Sequence, residues 1–138
     1  MKYSPAGKDG GPSYEGDQST FSGRAVLGRF LGGARGGKVQ VGTVTVTFEP
    51  GSRTYWHSHD DGQVLIAADG HGVVENRDGD RHLLHAGDIV YAPPGEVHWH
   101  GATPGASLVQ MAVSLGEARW EEEVPEGHYQ AIFKDVDE

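Results

Sequence analysis

Glycine or proline interrupts this chain every few residues: 22 Gly and 7 Pro stand among 138 positions. Neither suits the interior of a long helix, because glycine is entropically costly there and proline lacks the N–H and clashes with the preceding turn. What fits between the interruptions is a series of short extended runs joined by turns. The pattern predicts an all-β fold, a small antiparallel barrel or sandwich forming one domain.

The runs agree with this. In "VQVGTVTVTFE", Val44, Val46 and Phe48 alternate with Thr43, Thr45 and Thr47, the period of a half-buried strand. "FSGRAVLGRFL", "TYWHSH", "GQVLIAADG", "IVYAPP", "GEVHWHGA" and "ASLVQMAVSL" read as further strands. "HGVVENRDGDRHLLHAGD" reads as two strands folded back at Asp78-Gly79, a dipeptide suited to a tight hairpin. "RWEEEVPEGHY" holds the one candidate helical turn. Residues 1–20, made of small, polar and charged residues, are expected to form a flexible N-terminal arm. Residues 21–138 are then the domain, with "GGARGGK" as a loop free to move.

The formal net charge is -9, the wrong sign for binding phosphates, so nucleic acid is excluded as a partner. The chain has no cysteine, hence no disulfide framework and no thiolate metal site, which fits a reducing cytoplasm. No apolar run is long enough to cross a bilayer and the N-terminus lacks an apolar signal core. A cytoplasmic protein without a membrane partner is expected.

Two short segments stand out. "TYWHSHDDGQ" places His57 and His59 one residue apart with Gln63 four positions on, and "GEVHWHG" repeats the His-x-His spacing with His98 and His100. Alternate residues of a strand share a face, so each pair points one way and four imidazoles could converge inside one barrel. Imidazole nitrogen suits Zn, Fe, Cu, Ni and Mn, and Gln63 could add an amide oxygen. His71, His82, His85 and His128 stand alone and read as surface polar residues.

The framing of these segments resembles a known family. The first reads G-x5-H-x-H-x3-Q-x6-G from Gly51 to Gly70, and the second, "GDIVYAPPGEVH", reads G-x5-P-x-G-x2-H. Both resemble the two sequence motifs of the cupin superfamily, in order and spacing, and with their flanking strands they cover roughly residues 21–115. The resemblance implies an antiparallel barrel of jelly-roll type holding one divalent metal ion per subunit, with His57, His59, Gln63 and His98 as ligands. The identity of the ion, Mn, Fe, Zn or Ni, stays open. Gln63 departs from the glutamate common in the family. An amide leaves the ion its full charge and makes it a stronger Lewis acid. The words around the motifs resemble the small bacterial cupins that include metal-dependent hydroxynitrile lyases. The likeness makes His100, on the cavity side beside His98, the candidate general acid or base.

If Tyr55 continues the face of His57, it lines the cavity together with Val44, Val46, Phe48, Leu65, Tyr91 and Gln110, although Gln110 could equally lie on the outer face. Such a cavity suits a small, mostly apolar substrate with one oxygen. Three functions follow. The sharpest is a metal-dependent lyase cleaving or forming a carbon–carbon bond, as in a cyanohydrin. The second is another reaction on the same ion, an Fe-dependent dioxygenase or a polyketide cyclase. The third is a small-molecule binding cupin without catalysis. Trp56 and Trp99 each adjoin a proposed ligand and so face away from it. A cover for that face is expected, from the N-terminal arm or from a second subunit in a homodimer.

Overall fold

The structure, a computed structural model, describes residue 3 and residues 13–33 and 40–134. Most of the expected arm and most of "GGARGGK" lie outside the described residues. Among the described residues, twelve strands and one helix follow in chain order: β1 (Tyr14–Glu15), β2 (Phe21–Ser22), β3 (Ala25–Gly33), β4 (Val41–Phe48), β5 (Arg53–Thr54), β6 (His57–His59), β7 (Gly62–Asn76), β8 (Arg81–His85), β9 (Ile89–Ala92), β10 (His98–Ala102), β11 (Leu108–Leu115), β12 (Ala118–Trp120) and α1 (Glu126–Ile132). Every pairing is antiparallel. The jelly-roll barrel expected from the sequence is the fold.

One sheet runs β1-β3-β4-β11-β7-β9, and the other runs β2-β5-β10-β7-β8, with β6 and then β12 attached to β10. β7 belongs to both. Its first half pairs with β11 and β9, its second half with β10 and β8. The sequence reading splits it at Gly70, but the strand continues through that point and bends there. A side chain at Gly70 is disfavoured on two counts: φ is +85°, and a Cβ would sit 1.9 Å from the Ser107 carbonyl oxygen unless the backbone shifts. β1 lies within the segment expected to be an arm, where Tyr14 and Glu15 pair with Leu27 and Val26 of β3.

Two cores result, one on each side of the second sheet. Inside the barrel pack Phe21, Val46, Phe48, Leu65, Val74, Leu84 and Leu108. Outside it, Trp56, Val73, Trp99 and Val124 pack under α1 with Tyr129, Ile132 and Phe133. The adjacent valines Val73 and Val74 thus serve different cores, as strand alternation requires. The tryptophan cover is therefore this chain's own C-terminal segment. Neither the N-terminal arm nor a second subunit is needed for it, and Trp99 is 0% exposed. α1 is held by Tyr129 Oη donating to the Ala102 carbonyl at 2.6 Å and by buried Arg53, which lies 4.3 Å over the Tyr129 ring and donates to the Val124 carbonyl and Glu126. None of the described helices is long and apolar enough to cross a membrane.

Gly70 and Gly79 share a left-handed φ near +85°, but nothing lies within 4 Å of a Cβ at Gly79. Gly79→Ala should cost only the backbone strain, about 1–3 kcal/mol. Gly70→Ala adds the clash with Ser107 and should lower the urea midpoint considerably further. Equal midpoints for the two variants would contradict the bend at Gly70.

Candidate functional site

β6 and β10 are neighbours, and His57 lies directly opposite His98. Alternation then turns His57 and His59, and His98 and His100, into the same interior. The His57 ring centroid lies 4.6 Å from His98, 5.1 Å from His59 and 5.3 Å from His100, and His59 lies 6.2 Å from His98. All four are buried. His57, His98 and His100 each offer a nitrogen, these atoms lying within 4.8 Å of one another, a spacing that could hold a metal ion. This trio includes His100, expected as an acid or base, in place of His59, expected as a ligand.

The orientation of two rings is fixed from behind. His57 Nδ1 meets the Tyr55 carbonyl oxygen at 2.9 Å, and His98 Nδ1 meets the Glu96 carbonyl oxygen at 2.9 Å. Both then carry their proton on Nδ1 and turn an Nε2 lone pair inward, the arrangement found behind metal-ligating histidines. Gln63, on β7, donates through Nε2 to Ser114 Oγ at 3.1 Å and presents Oε1 to His98 Nε2 at 2.8 Å. His98 accordingly has an oxygen at each nitrogen, but a neutral imidazole carries one proton. The lone pair of Nε2 and the oxygen of Gln63 face one another with no hydrogen between them. Both ring nitrogens of buried His59 also lack a partner, as does His100 Nδ1. Native interiors rarely leave such groups unsatisfied. A cation among Gln63, His57, His59 and His98 would satisfy the facing pair at Gln63 and His98 and one ring nitrogen of His59, though not His100 Nδ1, so the residues fit a divalent ion.

Protonation does not provide an alternative. Burial holds His57 and His100 well below the ordinary imidazole value of 6.5, and the neighbouring imidazoles act in the same direction. His59 is brought to about 4 by burial and by His98, and burial also lowers His98. Four neutral imidazoles face one another at pH 7, with lone pairs free for coordination.

A cavity of about 130 Å³ opens onto this cluster, lined by His57, His59, Gln63 and His100 and by Phe21, Leu27, Val44, Val46, Thr54, Ala112, Ser114 and Trp120. His59 and Ser114 also line a larger groove of about 630 Å³, which includes Gln40, Gly42 and Glu117. Of the expected lining, Val44 and Val46 are in place. Phe48 and Leu65 belong to the barrel core, with the Phe48 ring edge-on to His100 at 5.8 Å. Gln110 faces inward, 0% exposed, and favours protonation of His100 from beside it.

Tyr55 and Tyr91 do not line the cavity. The chain bends between β5 and β6, so Thr54 rather than Tyr55 shares the His57 side, and Tyr55 Oη donates instead to the Gln18 carbonyl oxygen at 2.8 Å. On β9, Val90 and Ala92 stand opposite the inward residues Leu65 and Gln63 and therefore face inward themselves, leaving Tyr91 61% exposed. Ser114 and Trp120 were missed. Ser114 is two strand periods beyond Gln110 and was legible by alternation. Trp120 lies over His57, with ring centroids 4.5 Å apart, because β12 pairs with β6. No local pattern signals that pairing.

Comparison with known proteins places the chain among relatives. Residues 44–113 match the family model Cupin_2, the cupin domain. Over 93 residues, 64% of this chain and 71% of the relative, it is 42% identical to an (R)-mandelonitrile lyase of Granulicella tundricola. Its fold superposes with a TM-score of 0.76 and 38% identity on a cupin-like protein of Thermotoga maritima, covering 85% of this chain and 90% of the other. A polyketide cyclase of Streptomyces resistomycificus shares the fold at a TM-score of 0.57 and 19% identity, with 78% of each chain covered.

The depressed histidines make the metal-free protein acid-sensitive. Above pH 6.5 folded and unfolded chains both hold them neutral, and the stability linked to them is fully present. Below 6.5 the unfolded chain takes up protons that the fold refuses, so this stability is lost as the pH falls toward the folded values, about 4 for His59. The melting temperature of chelator-treated protein should therefore fall steadily from pH 7 to pH 4.5, and less steeply in His59→Asn. A flat profile would contradict the buried neutral cluster.

Proposed function

The chain belongs to the cupin family, and from that premise we propose that it is a metal-dependent lyase acting on a cyanohydrin or a similar small hydroxy compound. The observation that carries the reading is His98: one proton, two oxygen partners, and an Nε2 lone pair aimed with Gln63 Oε1 at the place where three further imidazoles converge. His57, His59, Gln63 and His98 would hold one divalent ion of Mn, Fe, Zn or Ni. When bound, such an ion supplies a positive centre that polarises the oxygen of a hydroxyl or carbonyl group.

The cavity argues for a small substrate. At about 130 Å³ it falls below the roughly 300–1,000 Å³ typical of drug-sized ligands and near the roughly 150 Å³ of an apolar cavity that takes one benzene ring. Phe21, Leu27, Val44, Val46 and Ala112 give it an apolar wall, and Thr54 and Ser114 give it hydroxyls. Both suit a ring carrying one small polar carbon. The reaction of the mandelonitrile lyase relative, by its name, fits these dimensions.

His100 is the base. Its neutral ring lines the cavity with Nδ1 unpartnered. It accepts the proton of the cyanohydrin hydroxyl as the C–CN bond breaks, the oxygen–carbon bond becomes a carbonyl, and the electron pair leaves on cyanide. The imidazolium then returns that proton to give hydrogen cyanide. Burial, and the imidazole of His98 beside it, disfavour the charged ring and so favour giving the proton back to cyanide.

Metal analysis and cleavage assays test this together. Protein loaded with Mn, Fe, Zn or Ni should release benzaldehyde from mandelonitrile, and a chelator should abolish the release. His57→Ala and His98→Ala should lose both metal and activity. His100→Ala should retain metal while kcat falls about 10²–10⁴-fold, the usual worth of general acid–base catalysis. Loss of metal in His100→Ala would make His100 a ligand and overturn its role as base. Full activity in the chelated protein would overturn the metal reading.

A further inference from the structure

Gln63 and Ser114 stand directly opposite one another on β7 and β11. Both line the cavity, and they meet there, with Gln63 Nε2 donating to Ser114 Oγ at 3.1 Å. An amide has two chemically different ends of nearly the same shape. The carbonyl end can hold a cation. The NH2 end cannot, and once buried it must find an acceptor. Gln63 is 3% exposed, so bulk water is not at hand. We propose that Ser114 is the positioning residue that makes a glutamine usable as a ligand at position 63. Its hydroxyl takes the NH2 group and so holds Oε1 on the side of His98 Nε2, 2.8 Å away.

This inference rests on the metal-centre reading and adds a dependence that the reading alone does not contain. A carboxylate at position 63 has two equivalent oxygens and no NH2 group, and so needs no acceptor behind it. The neutral ligand set of this chain is thus a two-residue device, with the amide on one strand and its acceptor on the next. The groove that adjoins the cavity is lined by Ser114 as well.

The test is a double-mutant cycle read as Zn²⁺ affinity, by competition with a chromophoric chelator, on the full chain. Ser114→Ala should weaken binding about 10–100-fold, the usual effect of removing a group that orients a metal ligand. Ser114→Thr, which keeps the hydroxyl, should restore it. In the Gln63→Glu background, Ser114→Ala should change affinity by no more than about twofold, the limit expected of uncoupled sites. The metal-free melting temperature of Ser114→Ala should fall by a few degrees as the buried NH2 group loses its acceptor, so affinities are read well below that transition, and Ser114→Gly provides a second variant without the hydroxyl if the alanine variant folds poorly. Equal losses in both backgrounds would assign Ser114 a merely structural part and overturn the proposal. So would unchanged affinity in Ser114→Ala while the wild type binds Zn²⁺, an outcome that leaves the metal centre standing. A wild-type chain that binds none of Mn²⁺, Fe²⁺, Zn²⁺ and Ni²⁺ would overturn both.

Discussion

The pairing of β6 with β10 is the contact on which the centre depends. β6 is three residues long, and His57 at its start stands opposite His98 at the start of β10. With the register set there, alternation brings His59 and His100 to the same side without any further instruction. A slip of one residue would turn Ser58 inward and carry both histidines of β6 to the outer face. The register is held from several directions. His98 pairs at once with Asn76 of β7, β12 binds the other edge of β6, and the Trp56 N–H donates to the Glu122 carbonyl oxygen.

The second core stiffens the same strands from behind. Between the inward histidines of β10 lies Trp99, whose indole N–H donates to buried Glu75 at 3.0 Å. Glu75 also accepts from Arg81 and contacts His128 Nε2 at 2.6 Å, joining α1 to the β7–β8 hairpin. A buried carboxylate needs such partners, and a fully satisfied network confers rigidity. The strand that carries His98 and His100 is thereby clamped on its other face. The sheet acts as a plate with chemistry on one side and an anchor on the other. This arrangement suits a site whose ligands need placing to within about half an ångström.

How much was legible beforehand follows from how local each signal is. The β class, the Asp78-Gly79 hairpin and the inward sharing of His57 with His59 and of His98 with His100 depend on spacing within one strand, and all could be read. Tyr55 could not, because a bend between two short strands breaks alternation and nothing in "TYWHSH" marks it. The side taken by Tyr91 depends on its partners across β7, a non-local fact, and so does the arrival of Trp120 beside His57. The cover over Trp56 and Trp99 was foreseen as a need but assigned to the wrong segment. "VPEGHY" is too short a helical pattern to advertise itself, and its value lies in Tyr129 and Val124 meeting residues that stand far away in sequence.

The charge distribution bears on what the cavity can do. The chain carries 20 acidic residues, but none lines the 130 Å³ cavity, whose titratable groups are three imidazoles held neutral by burial. With an amide rather than a carboxylate at Gln63, no fixed negative charge lines the cavity. In the proposed cleavage an electron pair leaving on cyanide, or collecting on an alkoxide oxygen, would meet no repulsion from the lining residues, where the low dielectric makes each charge count most. A carboxylate at position 63 would bind a divalent ion more tightly and at the same time offset its charge. With an ion held there, the amide would give up binding strength for a more positive centre, an exchange that would favour chemistry in which negative charge develops on the substrate.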